Sequence, residues 1–191
     1  MTLSERMKSY EEANRSYLTP RTPIAIRVDG KAFHTFTKGL TRPFDDSFEE
    51  CMLYTLSNLV ENIQGCMIGY QQSDEITLIL QNYYSYDTSA WFDGQIEKIV
   101  STSSSLATYF FNKRRENFRS DVLTSDMAGK VSNFLNVTKN RIAVFDSRAF
   151  SLPKEEVLNN LIWRQNDCER NSVLNVAQSK YSQKQLQNKS C

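Results

Sequence analysis

The sequence predicts an α+β fold whose strands and helices follow the order βαββαβ, with an additional helix afterwards. Three observations carry the prediction. PIAIRV (23–28) alternates with period two, apolar side chains recur at helical spacing from Asp45 to Asn62, and the apolar runs CMIGY and EITLIL are separated only by QQSD. Period-two alternation is the pattern of a strand with one face in a core, and three-to-four spacing is that of an amphipathic helix.

The first strand sets Ile24, Ile26 and Val28 against Ala25 and Arg27. The first helix carries Phe48, Met52, Leu56 and Leu59 or Val60 on one stripe, with acidic residues at its start, where they suit the helix dipole. Residues 64–80 read as a hairpin turning at QQSD. An amphipathic stretch from Ser89 to Lys113 follows, with Phe92, Ile96, Ile99, Leu106, Phe110 and Phe111 on its buried side and a small STSSSLA segment that permits close packing. RIAVFD (141–146) is the fourth strand, and the helix after it opens on Leu-Pro and acidic residues. Residues 114–140 are polar and receive no assignment.

This order is the split βαβ pattern of a ferredoxin-like sheet. In that topology the third strand lies between the first two and runs opposite to the first. Asp29, which closes strand one, and Asp74 and Glu75, which open strand three, are therefore expected at one edge of the sheet.

Residues 1–191 are enough for a single domain with a sizeable core. A hydrophobic fraction of 40% argues against disorder, and no apolar run has the length of a membrane span. MTLSERMKSYEEANRSY lacks a secretory apolar stretch, so a cytoplasmic protein with no membrane partner is expected. Cys51, Cys66, Cys168 and Cys191 are scattered without a CxxC pair, and His34 is the sole histidine. Zinc is thereby disfavoured, and any metal would be a hard ion held by carboxylates and carbonyls. A net charge of +1 leaves nucleic-acid binding to local patches.

Carboxylates held together raise one another's pKa unless a cation intervenes. Two magnesium ions roughly 3.5–4 Å apart would resolve that repulsion and serve in-line phosphoryl transfer. Gly30 lets the backbone approach a phosphate, and Lys31, Lys38, Arg27 and Arg42 surround it with positive charge. Asp-Gly after a strand is also an ordinary turn, and Ser-Asp an ordinary cap. Alternation leaves open whether Asp74 or Glu75 partners Asp29, since the two face opposite ways. His34 fits either packing between Phe33 and Phe36 or a nucleotide contact. Lys113, Arg114 and Arg115 fit either a solvated helix end or RNA phosphates.

RVDGKAFHTF, GYQQSDE, FDSRAF and WRQNDCERN, at 27–36, 69–75, 145–150 and 163–171, together resemble the tRNA(His) guanylyltransferases and their bacterial and viral relatives, the 3′-to-5′ polymerases. The resemblance implies a polymerase-type palm, two Mg2+ ions, ATP and GTP as substrates, tRNA as partner and a homotetramer. It implies that Asp29 and Asp74 bind both ions with the Gly30 carbonyl as a further ligand, and that Glu75 is a supporting catalytic acid. It also implies that the backbone of Asp29, Gly30, Lys31, Ala32, Phe33 and His34 cradles a triphosphate with Ser73, while Arg27, Lys38, Arg42 and Lys98 neutralise phosphates. Arg170 and Asn171 join the basic run as RNA contacts.

Where the eukaryotic enzymes carry His-Ile-Asn-Asn, this chain has Glu169, Arg170, Asn171 and Ser172. The expectation is therefore templated repair of truncated tRNA 5′ ends rather than untemplated G addition. QLQNKSC ends where family members continue, so a C-terminal extension is expected to be lacking. A noncatalytic RNA-binding module shares the element order, but EITLIL has none of the stacking aromatics such a module uses. A nucleotide cyclase also uses two acids on a palm, but its GGDEF-type turn is missing.

Overall fold

The structure, a computed structural model, describes residues 1–121 and 128–187. One antiparallel sheet of β1 (Ile24–Gly30), β2 (Cys66–Gln72), β3 (Glu75–Leu80) and β4 (Phe145–Ser151) has the order β2-β3-β1-β4. That is the ferredoxin-like arrangement, with β3 between β1 and β2 and antiparallel to both. The helices are α1 (Leu3–Glu12), α2 (Phe33–Phe36), α3 (Asp46–Asn62), α4 (Ile96–Asp121), α5 (Ala128–Thr138), α6 (Glu156–Lys180) and α7 (Gln183–Leu186).

One face of the sheet is dry. Ile24, Ile26 and Val28 of β1 and Ile76, Leu78 and Leu80 of β3 are buried in one cluster with Met52 and Leu59 of α3 and Ile99 and Phe111 of α4. Truncating a fully buried leucine such as Leu59 to alanine costs about 2–5 kcal/mol. Helix α3 starts where the sequence places it because the Asp45 carboxylate caps it, accepting from the Phe48 N–H at 3.1 Å. The small segment of α4 lies against β4, with Ser103 and Ala107 buried and the Ser103 and Ser147 hydroxyls 2.7 Å apart.

Four features depart from the sequence reading. Strand β1 runs on through Asp29 and Gly30, so the acid lies within the ladder rather than closing it. Strand β4 begins at Phe145, not at Arg141. Ile142 and Val144, which suggested the earlier start, are 74% and 41% exposed, and β4 turns Ser147 inward to Ser103 where an apolar side chain would have marked the strand. Helix α4 begins at Ile96 rather than Ser89, with Phe92 38% exposed in a separate turn, Trp91–Gly94; it continues past Lys113, and the unassigned stretch contains α5, whose Val131 and Phe134 are buried. At the N-terminus, α1 forms behind a capping box in which Thr2 and Glu5 satisfy each other's backbone N–H groups. Cys191 lies outside the described residues.

Candidate active site

The other face of the sheet carries the charges. In the β1–β3 ladder Asp29 stands opposite Glu75 and Arg27 opposite Thr77; in the β1–β4 ladder Asp29 meets Asp146 and Arg27 meets Arg148. Directly opposed residues share a face, so these side chains lie away from the core. Helix α6 crosses this face on long side chains. Arg164 reaches Glu75, Trp163 stacks 5.4 Å from the Arg27 guanidinium, and Gln165 accepts from the Tyr70 hydroxyl at 2.9 Å.

Between β2 and β3 the chain turns through Ser73 and Asp74, with Ser73 in the left-handed region at φ 47°. The Ser73 hydroxyl donates to the Asp74 carboxylate at 3.0 Å, and the Gly30 N–H donates to the Asp74 carbonyl at 3.1 Å. That main-chain bond ties the turn to the residue after Asp29. Burial pushes the Asp74 carboxyl above its ordinary range; its own backbone N–H and the Ser73 hydroxyl oppose this, and the charges of Asp29 and Glu75 add to it. Asp29 is raised too, by burial first and then by Asp146, against the pull of Arg148 and Arg27.

Glu75 is directly opposite Asp29, yet its carboxylate is committed elsewhere. Arg164 donates to it through Nε at 2.7 Å and Nη2 at 2.9 Å, and Gln72 adds a bond at 3.3 Å. Arg164 also donates to Asp167 at 2.9 Å. Of the three acids, Asp29 and Asp74 are the two outside any salt bridge among the described residues. They are hard oxygen donors of the kind magnesium takes. Among the described residues no group of three or more His, Cys, Asp or Glu side chains could hold a metal ion, so main-chain or phosphate oxygens would have to complete the shell.

A cavity of about 800 Å³ opens on this edge, walled by the segment from Thr37 to Glu49, the Gln71–Glu75 turn and α6. The structure brings Asp29, Asp74, Glu75, Ser73, Arg42 and Asn171 together there. It does not bring the rest. Lys31, Ala32, His34 and Lys38 are exposed outside the lining, and Arg27 sits on the sheet face beside Trp163. The Phe33 side chain is core, its ring 5.0–5.9 Å from those of Phe36, Phe48, Phe111 and Phe145. Gly30 is explained by that ring, because a Cβ there would stand 2.4 Å from Phe33 Cδ2.

Lys98 is at the wrong end of the sheet for this cavity. Helix α4 runs antiparallel to β4, with Thr108 at Phe145 and Ser103 at Ser147, which carries Lys98 toward Ser151; Ser151 pairs with Ile24, at the end of β1 opposite Asp29. The basic run is also used internally. Arg114 pairs with Glu50 of α3 and stacks 4.4 Å from the Phe118 ring, and Arg115 donates to the carbonyls of Thr138 and Arg141. Being mid-helix, these residues face α3 and the chain after α5. Lys113 remains exposed beside the Tyr109 ring, and Arg170 pairs with Asp167. Sequence reasoning missed Arg164: an arginine in a polar helix reads as solvated, and only its salt-bridge spacing to Asp167 hints otherwise.

The tRNAHis guanylyltransferase family model matches residues 4–153. A bacterial tRNA(His) guanylyltransferase-like protein in complex with ATP superposes with a TM-score of 0.86 at 39% identity, over 99% of this chain and 75% of that one. A bacterial protein of the same description in complex with GTP gives 0.80 at 38% identity, over 94% and 77%. A protein of Acanthamoeba polyphaga mimivirus is 32% identical over 186 residues, 92% of this chain, which spans 62% of that relative's length. With its sheet order, its acidic turn and these matches in agreement, the chain belongs to the tRNAHis guanylyltransferase family.

Proposed function

We propose that the chain adds nucleotides to the 5′ end of a tRNA in the 3′-to-5′ direction, acting in the cytoplasm as a homotetramer. The observation that carries this is the acid pair itself: Asp74 is tied by its main-chain carbonyl to the N–H of Gly30, the residue after Asp29, both acids line one cavity, and the third acid is neutralised by Arg164. Related bacterial proteins bind ATP and GTP, the two nucleotides this reaction consumes. In the first step a 5′-phosphate oxygen of the tRNA attacks the α-phosphorus of ATP and pyrophosphate leaves. In the second the 3′-hydroxyl of the incoming nucleotide gives up its proton and attacks the activated 5′-phosphorus, and AMP leaves.

Magnesium, held by the Asp29 and Asp74 carboxylates and the Gly30 carbonyl, would supply neutralisation of the phosphoryl oxygens in both steps. The chain's own side chains do the rest. Arg42 on the cavity wall and the Ser73 hydroxyl meet phosphate oxygens, and Asn171 meets RNA. Glu169–Ser172 in place of His-Ile-Asn-Asn favours templated 5′-end repair. The test is addition of labelled GTP to intact tRNA(His) and to a tRNA lacking its first nucleotide. The truncated tRNA should be preferred, and Asp29→Ala and Asp74→Ala should each abolish transfer with unchanged circular dichroism. Turnover retained in either variant defeats the metal assignment, and preference for intact tRNA(His) defeats repair.

A further inference from the structure

Arg27 and Arg148 face each other directly across the β1–β4 ladder, on the face of the sheet that α6 crosses. Like charges so placed repel and cost stability. Among the described residues Arg27 has no salt bridge, and Arg148 has one loose partner, Asp146 at 3.7 Å. Arg148 is 53% exposed in its side chain, and Trp163, which stacks on Arg27, is 53% exposed. Arg27 and Arg148 sit two residues back along their strands from the Asp29–Asp146 pair, about 7 Å. If a cation takes up the Asp29 charge, the face is left with two guanidiniums and one exposed carboxylate. That is a surplus of positive charge presented as planar forks, the geometry that suits phosphate.

We propose that Arg148 joins Arg27, whose phosphate role the family resemblance already implies, as the second arm of a phosphate-binding pair beside the acidic pair, with Trp163 holding the Arg27 plane in place. The assignment rests on the nucleotidyl-transfer reading for its ligand, which is a phosphate of an incoming nucleotide's polyphosphate tail or of the RNA backbone. Arg148 is the new member of the site, and its exposure makes it the residue to change.

Three probes separate the possibilities, each measured on wild type, Arg148→Met and Arg148→Lys. Inorganic tripolyphosphate should raise the Tm of wild type by more than that of Arg148→Met, in which Arg42, Ser73 and Arg27 remain. GTP without RNA should bind Arg148→Met at least 5-fold more weakly if the polyphosphate tail is the ligand. Truncated tRNA without nucleotide should bind it more weakly, with a log K against log salt slope shallower by about 1, if the backbone is the ligand. Arg148→Lys, which keeps the charge and loses the fork, should fall between. Should wild type respond to tripolyphosphate but to neither GTP nor tRNA, the phosphate pair stands and the nucleotidyl-transfer reading falls. Should Arg148→Met match wild type with all three probes, or wild type respond to none, the pair only screens Asp29 and Asp146 and the proposal is overturned.

Discussion

Arg164 and Glu75 form a forked ion pair, Nε to Oε1 at 2.7 Å and Nη2 to Oε2 at 2.9 Å, with side-chain exposures of 8% and 13%. It joins α6 to β3 and removes one of three acids from competition for a cation. Breaking a buried pair from one side strands the other charge, at a cost of about 3–5 kcal/mol. Arg164→Met should therefore lower the urea midpoint by that order, and adding Glu75→Gln should recover much of the loss. Glu75→Ala should impair turnover less than Asp74→Ala. Equal losses in the two acid variants would return Glu75 to the metal site.

The acid pair makes a prediction about pH in the metal-free protein. Asp29 and Asp74 both titrate above their ordinary range because burial and neighbouring acids disfavour their charge. For a carboxyl raised in the folded state, the destabilisation is absent below the unfolded pKa, grows as pH climbs toward the folded pKa, and is complete above it. At neutral pH with chelator present, Asp74→Asn should melt higher than wild type. The difference should vanish as pH falls below about 4. A lower melting point for Asp74→Asn at pH 7 would show that the charge is already compensated.

Arg141 braces one wall of the cavity. Its Nη1 donates to the carbonyls of Thr35, Phe36 and Lys38 at 3.0, 2.7 and 3.0 Å, while its own carbonyl accepts from Arg115. The braced segment continues into Thr37, Leu40, Thr41 and Arg42 of the lining. Because a single nitrogen serves all three carbonyls, a lysine ammonium can replace it. Arg141→Lys should keep KM for nucleotide near wild type, and Arg141→Met should raise it several-fold at little change in kcat. A fall in kcat alone, tracking the folded fraction, would mean that the brace is structural only.

Much of this arrangement was legible because it rests on period and topology. Ile24, Ile26 and Val28 alternate cleanly, and the βαββαβ order alone puts Asp29 beside Asp74 and Glu75. What could not be read was set by partners distant in sequence. Nothing near Glu75 announces Arg164, which is 89 residues away, and nothing in Lys-Arg-Arg announces Glu50, 64 residues before Arg114. Strand β4 was displaced for a related reason, since its inward Ser147 is satisfied by a hydroxyl on α4 rather than by hydrophobic burial. Hydropathy records which side chains leave water, not which polar groups find each other.

Gly30 joins the core to the acid pair, and its substitution tests that joint. A Cβ at this position would lie 2.4, 2.5 and 2.7 Å from Phe33 Cδ2, Cγ and Cε2. Phe33 is 3% exposed and is hemmed in by four other rings, so it cannot step aside cheaply. Overpacking of this kind costs about 1–3 kcal/mol. The strain should reach the chemistry, because the Gly30 N–H holds the Asp74 carbonyl and the neighbouring Lys31 N–H holds that of Val144 at 2.8 Å. Gly30→Ala is expected to lower both the urea midpoint and GTP transfer. If the clash with the ring is the cause, Phe33→Leu should relieve it, and a double-mutant cycle should show a coupling of at least about 1 kcal/mol between the two positions. Additive effects would place the strain elsewhere along the end of β1.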